Sequence, residues 1–149
     1  MTKQGEAEHC LTDSLEADLY EAMCAWDVID AHEHLPPEEE RLARSVDVFT
    51  LVSHYTHGDL LTAGMTEVQY SSLFDREVPL ERRWGLFEPF WARIRHASYA
   101  RAARLAARRF YGVPDISRQT YEELSLAISE NNTPGLYQRV LMDLSLIHI

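Results

Sequence analysis

The sequence predicts an α/β chain that is mostly helix, with one β-strand over about 27–34 and helical segments through 46–143. Three observations carry this. The stretch Val28-Ile29-Asp30-Ala31-His32-Glu33-His34-Leu35 reads as a strand and is closed by Pro36-Pro37, which donate no ladder hydrogen bonds. From Val46 onward apolar residues recur only at helical spacing. No other stretch offers the strand a convincing partner, and a lone strand cannot satisfy its own backbone groups. The strand is therefore expected to belong to a larger sheet.

Composition bounds the class. The 149 residues, 46% hydrophobic and 26% charged, are enough for one domain with its own core. No apolar run approaches the ~20 residues a membrane span needs. The N-terminus lacks the basic-then-apolar pattern of a secretory signal. Cys10 and Cys24 have neither metal nor redox spacing, so two reduced structural thiols and a cytoplasmic location are expected. A net charge of −10 argues against nucleic acid as the main partner, although ten arginines lie between Arg76 and Arg118.

Taken in order, residues 1–11 form a polar lead-in. A helix begins near Asp13, with Leu15, Leu19, Met23 and Trp26 as one apolar stripe, and ends at Asp27. Glu38-Glu39-Glu40-Arg41-Leu42 is expected as a short acidic helix. Val48, Val52 and Tyr55 form a stripe beside Phe49, with Asp47 as cap. Gly58-Asp59 is expected to break the chain, and Leu60-Leu61 to turn to Gly64. Thr66 with Gln69 makes a capping box for a helix to about Phe74. Pro79 opens a helix carrying Trp84, Phe87, Trp91 and Ile94, which Pro89 is expected to kink or split. Ser98 to Tyr111 is a strong helix stopped by Gly112. Thr120 opens another through Ile128, Asn131-Asn132 release it, and Thr133-Pro134 start a last apolar face with Leu136, Val140 and Leu141.

On the strand, side chains alternate, so Asp30, His32 and His34 share one face. Two imidazoles at a strand's end chelate one divalent ion, and neutral nitrogen donors suit zinc and related metals. Asp30 is a candidate to hold the second nitrogen of such a ring, or to orient the mouth of the strand.

Asp30-Ala-His32-Glu-His34-Leu, near the N-terminus, resembles the opening motif of the amidohydrolase superfamily. That resemblance implies a (β/α)₈ barrel, with His32 and His34 as ligands of a divalent metal, zinc first, and further ligands from later strands that fall outside this chain. It also implies a metal-dependent hydrolase acting on a carbonyl-type small-molecule substrate. His54-Tyr55-Thr-His57-Gly58-Asp59-Leu, Tyr99 to Gly112 and Thr133-Pro-Gly-Leu-Tyr137 look like the helical insertion of the uronate isomerases, Arg108-Arg109-Phe110-Tyr111-Gly112 most of all. The similarity spans about residues 12–143. Gly58-Asp59 stands where that pattern has an aromatic residue and an arginine. On this reading 1–143 is the N-terminal part of one barrel domain, and its insertion covers about 46–143. Tyr55 and Asp59 are substrate-pocket candidates.

The tail Leu144-Ser-Leu-Ile-His-Ile149 matches the in-frame translation of a sequencing-library adapter. The expectation is that residues 144–149 are foreign and that the chain by itself is inactive. His54 and His57 are read as loop or solvent histidines, His96 as a helix-junction residue, the arginines as a solvated or acid-paired face, and Trp84, Phe87, Phe90 and Trp91 as core. An aldose–ketose isomerase and a non-enzymatic helical binding module stand as the alternative functions.

Overall fold

The structure is a computed structural model that describes residues 14–26 and 34–143. Asp30, His32 and most of the expected strand lie outside the described residues, as do residues 1–11, Cys10 and the 144–149 tail. Among the described residues there is no strand, and the architecture is helical.

The described residues form seven α-helices, in order α1 (Ser14–Cys24), α2 (Glu38–Leu42), α3 (Thr56–Thr62), α4 (Glu67–Ser72), α5 (Leu80–Ile94), α6 (Ser98–Tyr111) and α7 (Tyr121–Glu130). A 3₁₀ helix, Val48–Val52, precedes α3, and a π-helical turn, Gln138–Asp143, ends the described chain. The core is built where α5, α6 and α7 meet the 3₁₀ helix. Val48, Phe49, Val52, Leu60, Trp84, Phe87, Leu124 and Ile128 are buried there. Phe87 meets Phe49 edge-on and Trp84 stacks on Tyr121 at 4.8 Å, which are the aromatic geometries favoured in cores. Trp91 donates its indole N–H to the Ile116 carbonyl at 2.9 Å and so ties α5 to the segment after α6.

Local chemistry explains most boundaries. Asp47 and Thr50 form a reciprocal capping box on the 3₁₀ helix, and Thr66 and Gln69 form one on α4. Gly112, with φ 71°, ends α6 in the left-handed region that glycine enters without a Cβ clash. The Asp47 cap sits over a buried ion pair. Arg83 Nη1 donates to Asp47 Oδ2 at 2.7 Å, and Arg76 also donates to that oxygen. Arg83 also donates to the Leu73 and Val78 carbonyls and lies over the Phe49 ring.

Three expectations are corrected. Gly58-Asp59 does not break the chain but lies inside α3. An interior glycine costs a helix about 1 kcal/mol, and the buried Leu60 with the stop after it offsets that. At this stop the Gly64 N–H bonds to the Leu61 carbonyl and the Met65 N–H to that of Leu60, which brings buried Met65 against the helix end. Pro89 does not split α5, which runs unbroken from Leu80 to Ile94. The proline is exposed while Trp84, Phe87, Trp91 and Ile94 bury the other side. Tyr55 does not continue the Val48–Val52 stripe. His54, at φ 64°, turns the chain first, and Tyr55 is exposed.

The α1 helix forms as expected, yet its apolar stripe is open to solvent. Cys24 is exposed on it, so that thiol has no structural packing role.

Candidate functional site

His34 is the one residue of the His-x-His pair that is described. It is exposed and precedes Leu35-Pro36-Pro37 and α2. A clamp from the far end of the chain fastens this segment. The backbone N–H groups of Gly135 and Tyr137 donate to the Glu38 carboxylate, and the Tyr137 hydroxyl donates to the Pro36 carbonyl at 2.7 Å. The N–H of Tyr137 is the main cause that holds the Glu38 carboxyl below its ordinary range; burial acts against it, and Gly135 and Arg139 reinforce it. Asn132 adds bonds to Arg41 and to the Leu42 carbonyl.

So held, the His34 ring lies 5.6 Å from that of His54, centroid to centroid, with the planes tilted by 41°. His54 occupies the left-handed turn between the 3₁₀ helix and α3. That backbone state is uncommon outside glycine, though histidine enters it more readily than most residues. Its ring meets the edge of Tyr55 at 4.3 Å, and Tyr55 stacks on Tyr99 of α6 at 4.9 Å with an interplanar angle of 12°. Burial is the main cause that raises the Tyr70 hydroxyl, and the Glu67 charge adds to it. His57 packs its ring 4.2 Å from that of Tyr70 and pairs through Nε2 with Glu67 Oε2 at 2.9 Å.

His54 is an exposed turn residue, as the sequence suggested, while His57 lies inside α3 rather than in a loop. His57 is a paired residue between α3 and α4, while His54 faces His34. Nothing local foretold the second contact, because 20 residues separate the two and the turn that aims His54 carries no glycine. Tyr99 was equally hidden, being 44 positions from Tyr55.

Asp59 and Tyr55 do not share a cavity. Asp59 lines one of about 240 Å³ with Thr62, Arg93 and Ile94, between α3 and α5, and its Oδ2 is buried without a hydrogen-bond partner. Tyr55 stands outside on the stacked pair. A second cavity, of about 490 Å³, adjoins the His34 segment. Leu35, Pro36, Arg41, Arg76 and Tyr137 are among its walls.

The described donors fit a metal only in part. A catalytic zinc takes three protein ligands and keeps one position open. No group of three or more His, Cys, Asp or Glu side chains converges among the described residues. The His34–His54 pair supplies two imidazoles. Tyr55, stacked on Tyr99, adds an aromatic wall against His54.

The arginines are mostly committed. Arg95 and Arg104 pair with Asp115, and Arg118 with Glu88. Burial pushes the Asp115 carboxyl up, but the Arg104 hydrogen bond, the Ile116 N–H and both guanidinium charges outweigh it and leave it below its ordinary range. No helix among the described residues is long and apolar enough to cross a membrane. Comparison with protein-family models, with curated proteins and with solved structures returns no match.

Proposed function

We propose that this chain is the N-terminal, metal-binding part of a metal-dependent hydrolase of the amidohydrolase type, a cytoplasmic barrel enzyme acting on a carbonyl-containing small molecule. The observation that carries the reading is the motif Asp30-Ala31-His32-Glu33-His34. Its second histidine lies beside His54, which in turn meets the Tyr55–Tyr99 pair.

In this reading His32 and His34 hold a divalent ion, zinc first, and the rest of the ligand shell comes from strands outside this chain. Such an ion, when bound, supplies an activated water and polarises a carbonyl. The chain's own contribution is to present the imidazoles at a strand end and to wall them with His54 and Tyr55. Asp30 holds a ligand ring. Because two imidazoles leave the shell unfinished, the 149-residue chain alone is inactive.

The hydrolase reading is favoured over a uronate isomerase because Gly58-Asp59 stands where the isomerase pattern has an aromatic residue and an arginine. One observation speaks for a non-enzymatic helical module, namely that the described residues bury a core of their own between helices.

The test is hydrolysis of a panel of amides, esters and lactones by the natural protein that contains this chain, with His32→Ala and His34→Ala beside it. The reading expects turnover that either substitution abolishes. Activity that survives both substitutions contradicts it. Conversion of a uronate to a ketose would establish the isomerase instead.

A further inference from the structure

The cleft between α3 and α5 takes no part in the function proposed above. It sets a carboxylate and a guanidinium on one hollow without joining them. On α3, Asp59 and Thr62 are three residues apart and Ala63 follows at four, so the three share a face. The α3 helix packs against α5, and Arg93 and Ile94 line the same cavity, with Ala97 from the turn after α5. Asp59 Oδ2 is buried without a hydrogen-bond partner. A buried acceptor left without a donor costs about 1–3 kcal/mol, and more when it is charged. The two neighbouring donors are turned elsewhere. The Thr62 hydroxyl donates to the Gly58 carbonyl at 2.8 Å, and Arg93 Nη1 donates to the Ala63 carbonyl at 2.6 Å.

Arg93 is positioned but not neutralised. The Ala63 carbonyl fixes its Nη1 at the end of α3, beside Gly64, and its guanidinium lies over the Phe90 ring, 5.9 Å from the centroid. Among the described residues no ion pair joins Arg93 to Asp59 or to any other carboxylate. Nε and Nη2 donate to no described group. Opposite charges fixed on one cavity and kept apart suit a ligand that carries both. A lone cation is repelled by Arg93 and a lone anion by Asp59. One carboxylate is also far short of the about six to eight oxygens that calcium takes. The cavity holds about 240 Å³, and its other walls include Ala63, Ile94 and Ala97, which are apolar. That is below the roughly 300–1,000 Å³ of sites for drug-sized molecules, so the ligand is small.

We infer that this cleft binds a small apolar α-amino acid as its zwitterion, ammonium on Asp59 and carboxylate on the free side of Arg93. An ammonium has three N–H donors and supplies the one that Asp59 Oδ2 lacks. A carboxylate matches the parallel N–H groups of a guanidinium, and both contacts are charge-assisted. The ligand's side chain lies against Ile94 and the two alanines. None of these residues lines the cavity beside His34, so the site is independent of the hydrolase reading.

Titration of the full chain with L-valine, followed in ¹H–¹⁵N correlation spectra, tests this. The expected result is saturable shifts of the amides at 59–64 and 93–97, with a dissociation constant of about 1 mM or tighter. Two analogues separate the charges. Isovalerate lacks the ammonium and valinamide lacks the carboxylate, and each should bind at least about tenfold more weakly than valine. Asp59→Asn keeps the shape of the side chain and should weaken valine by a similar factor, as should Arg93→Gln. Arg93 also fastens the end of α3, so if Arg93→Gln loses its helical circular dichroism, Asp59→Asn and the analogues decide the matter. A chain that shows no saturable shift at these amides overturns the inference. So does an analogue that binds as tightly as valine, or a folded Asp59→Asn that binds valine undiminished.

Discussion

Asp47 does two jobs with one carboxylate. Oδ1 accepts the Phe49 N–H at 2.9 Å as a cap, and Oδ2 takes Arg83 and Arg76. Replacing it with alanine strands a buried guanidinium, and Asp47→Ala is expected to cost about 3–5 kcal/mol in urea denaturation. Asp47→Asn keeps the cap geometry and should cost less. The capping half was legible in the sequence, as an aspartate before an apolar run. The pairing half was not, since Arg83 is 36 positions away. The same division holds at His54. Its neighbours predict a loop, and only the folded chain shows which ring it faces. Gly112, by contrast, was legible in full. Gly112→Ala forces a Cβ into φ 71° and is expected to destabilise by about 1 kcal/mol, read as a lower midpoint of unfolding.

Among the elements, α1 and the Glu38 clamp behave differently from the core. An 11-residue helix whose large apolar side chains are mostly exposed gains little from burial and is marginal in water. Hydrogen exchange should find α1 amides weakly protected while α5, α6 and α7 exchange far more slowly. The clamp is a pH-sensitive fastening. Glu38 has its folded-state carboxyl lowered from an ordinary 4.5 by the Tyr137 N–H, so it adds stability above that value and loses it as the pH falls through the depressed one. Amide exchange at 135–139 should therefore accelerate below about pH 4.5, and Glu38→Gln should remove that step. Helix periodicity and caps made the helices readable in the sequence. The errors came where tertiary burial overrode a local breaker, at Gly58 inside α3 and Pro89 inside α5.

At the scale of the molecule, the helical majority expected from the apolar spacing is present among the described residues, with a core built mainly of helices and completed by Met65, Val113 and Ile116 from the connecting segments. The closing contacts join Pro36 and Glu38 to Gly135 and Tyr137, roughly a hundred residues apart, and no local pattern announces a pairing of that range. The candidate site divides in the same way. The His-x-His motif can be read in the sequence, whereas the contacts of His34 with His54, of His54 with Tyr55 and of Tyr55 with Tyr99 come only from packing. That division sets what decides the account. Metal content should be measured by elemental mass spectrometry on the purified natural protein that contains this chain, beside its His32→Ala/His34→Ala variant. The account predicts a stoichiometric divalent ion in the parent and its loss in the variant, with the helical circular dichroism unchanged. A parent without metal, or a variant that keeps its full complement, would contradict it.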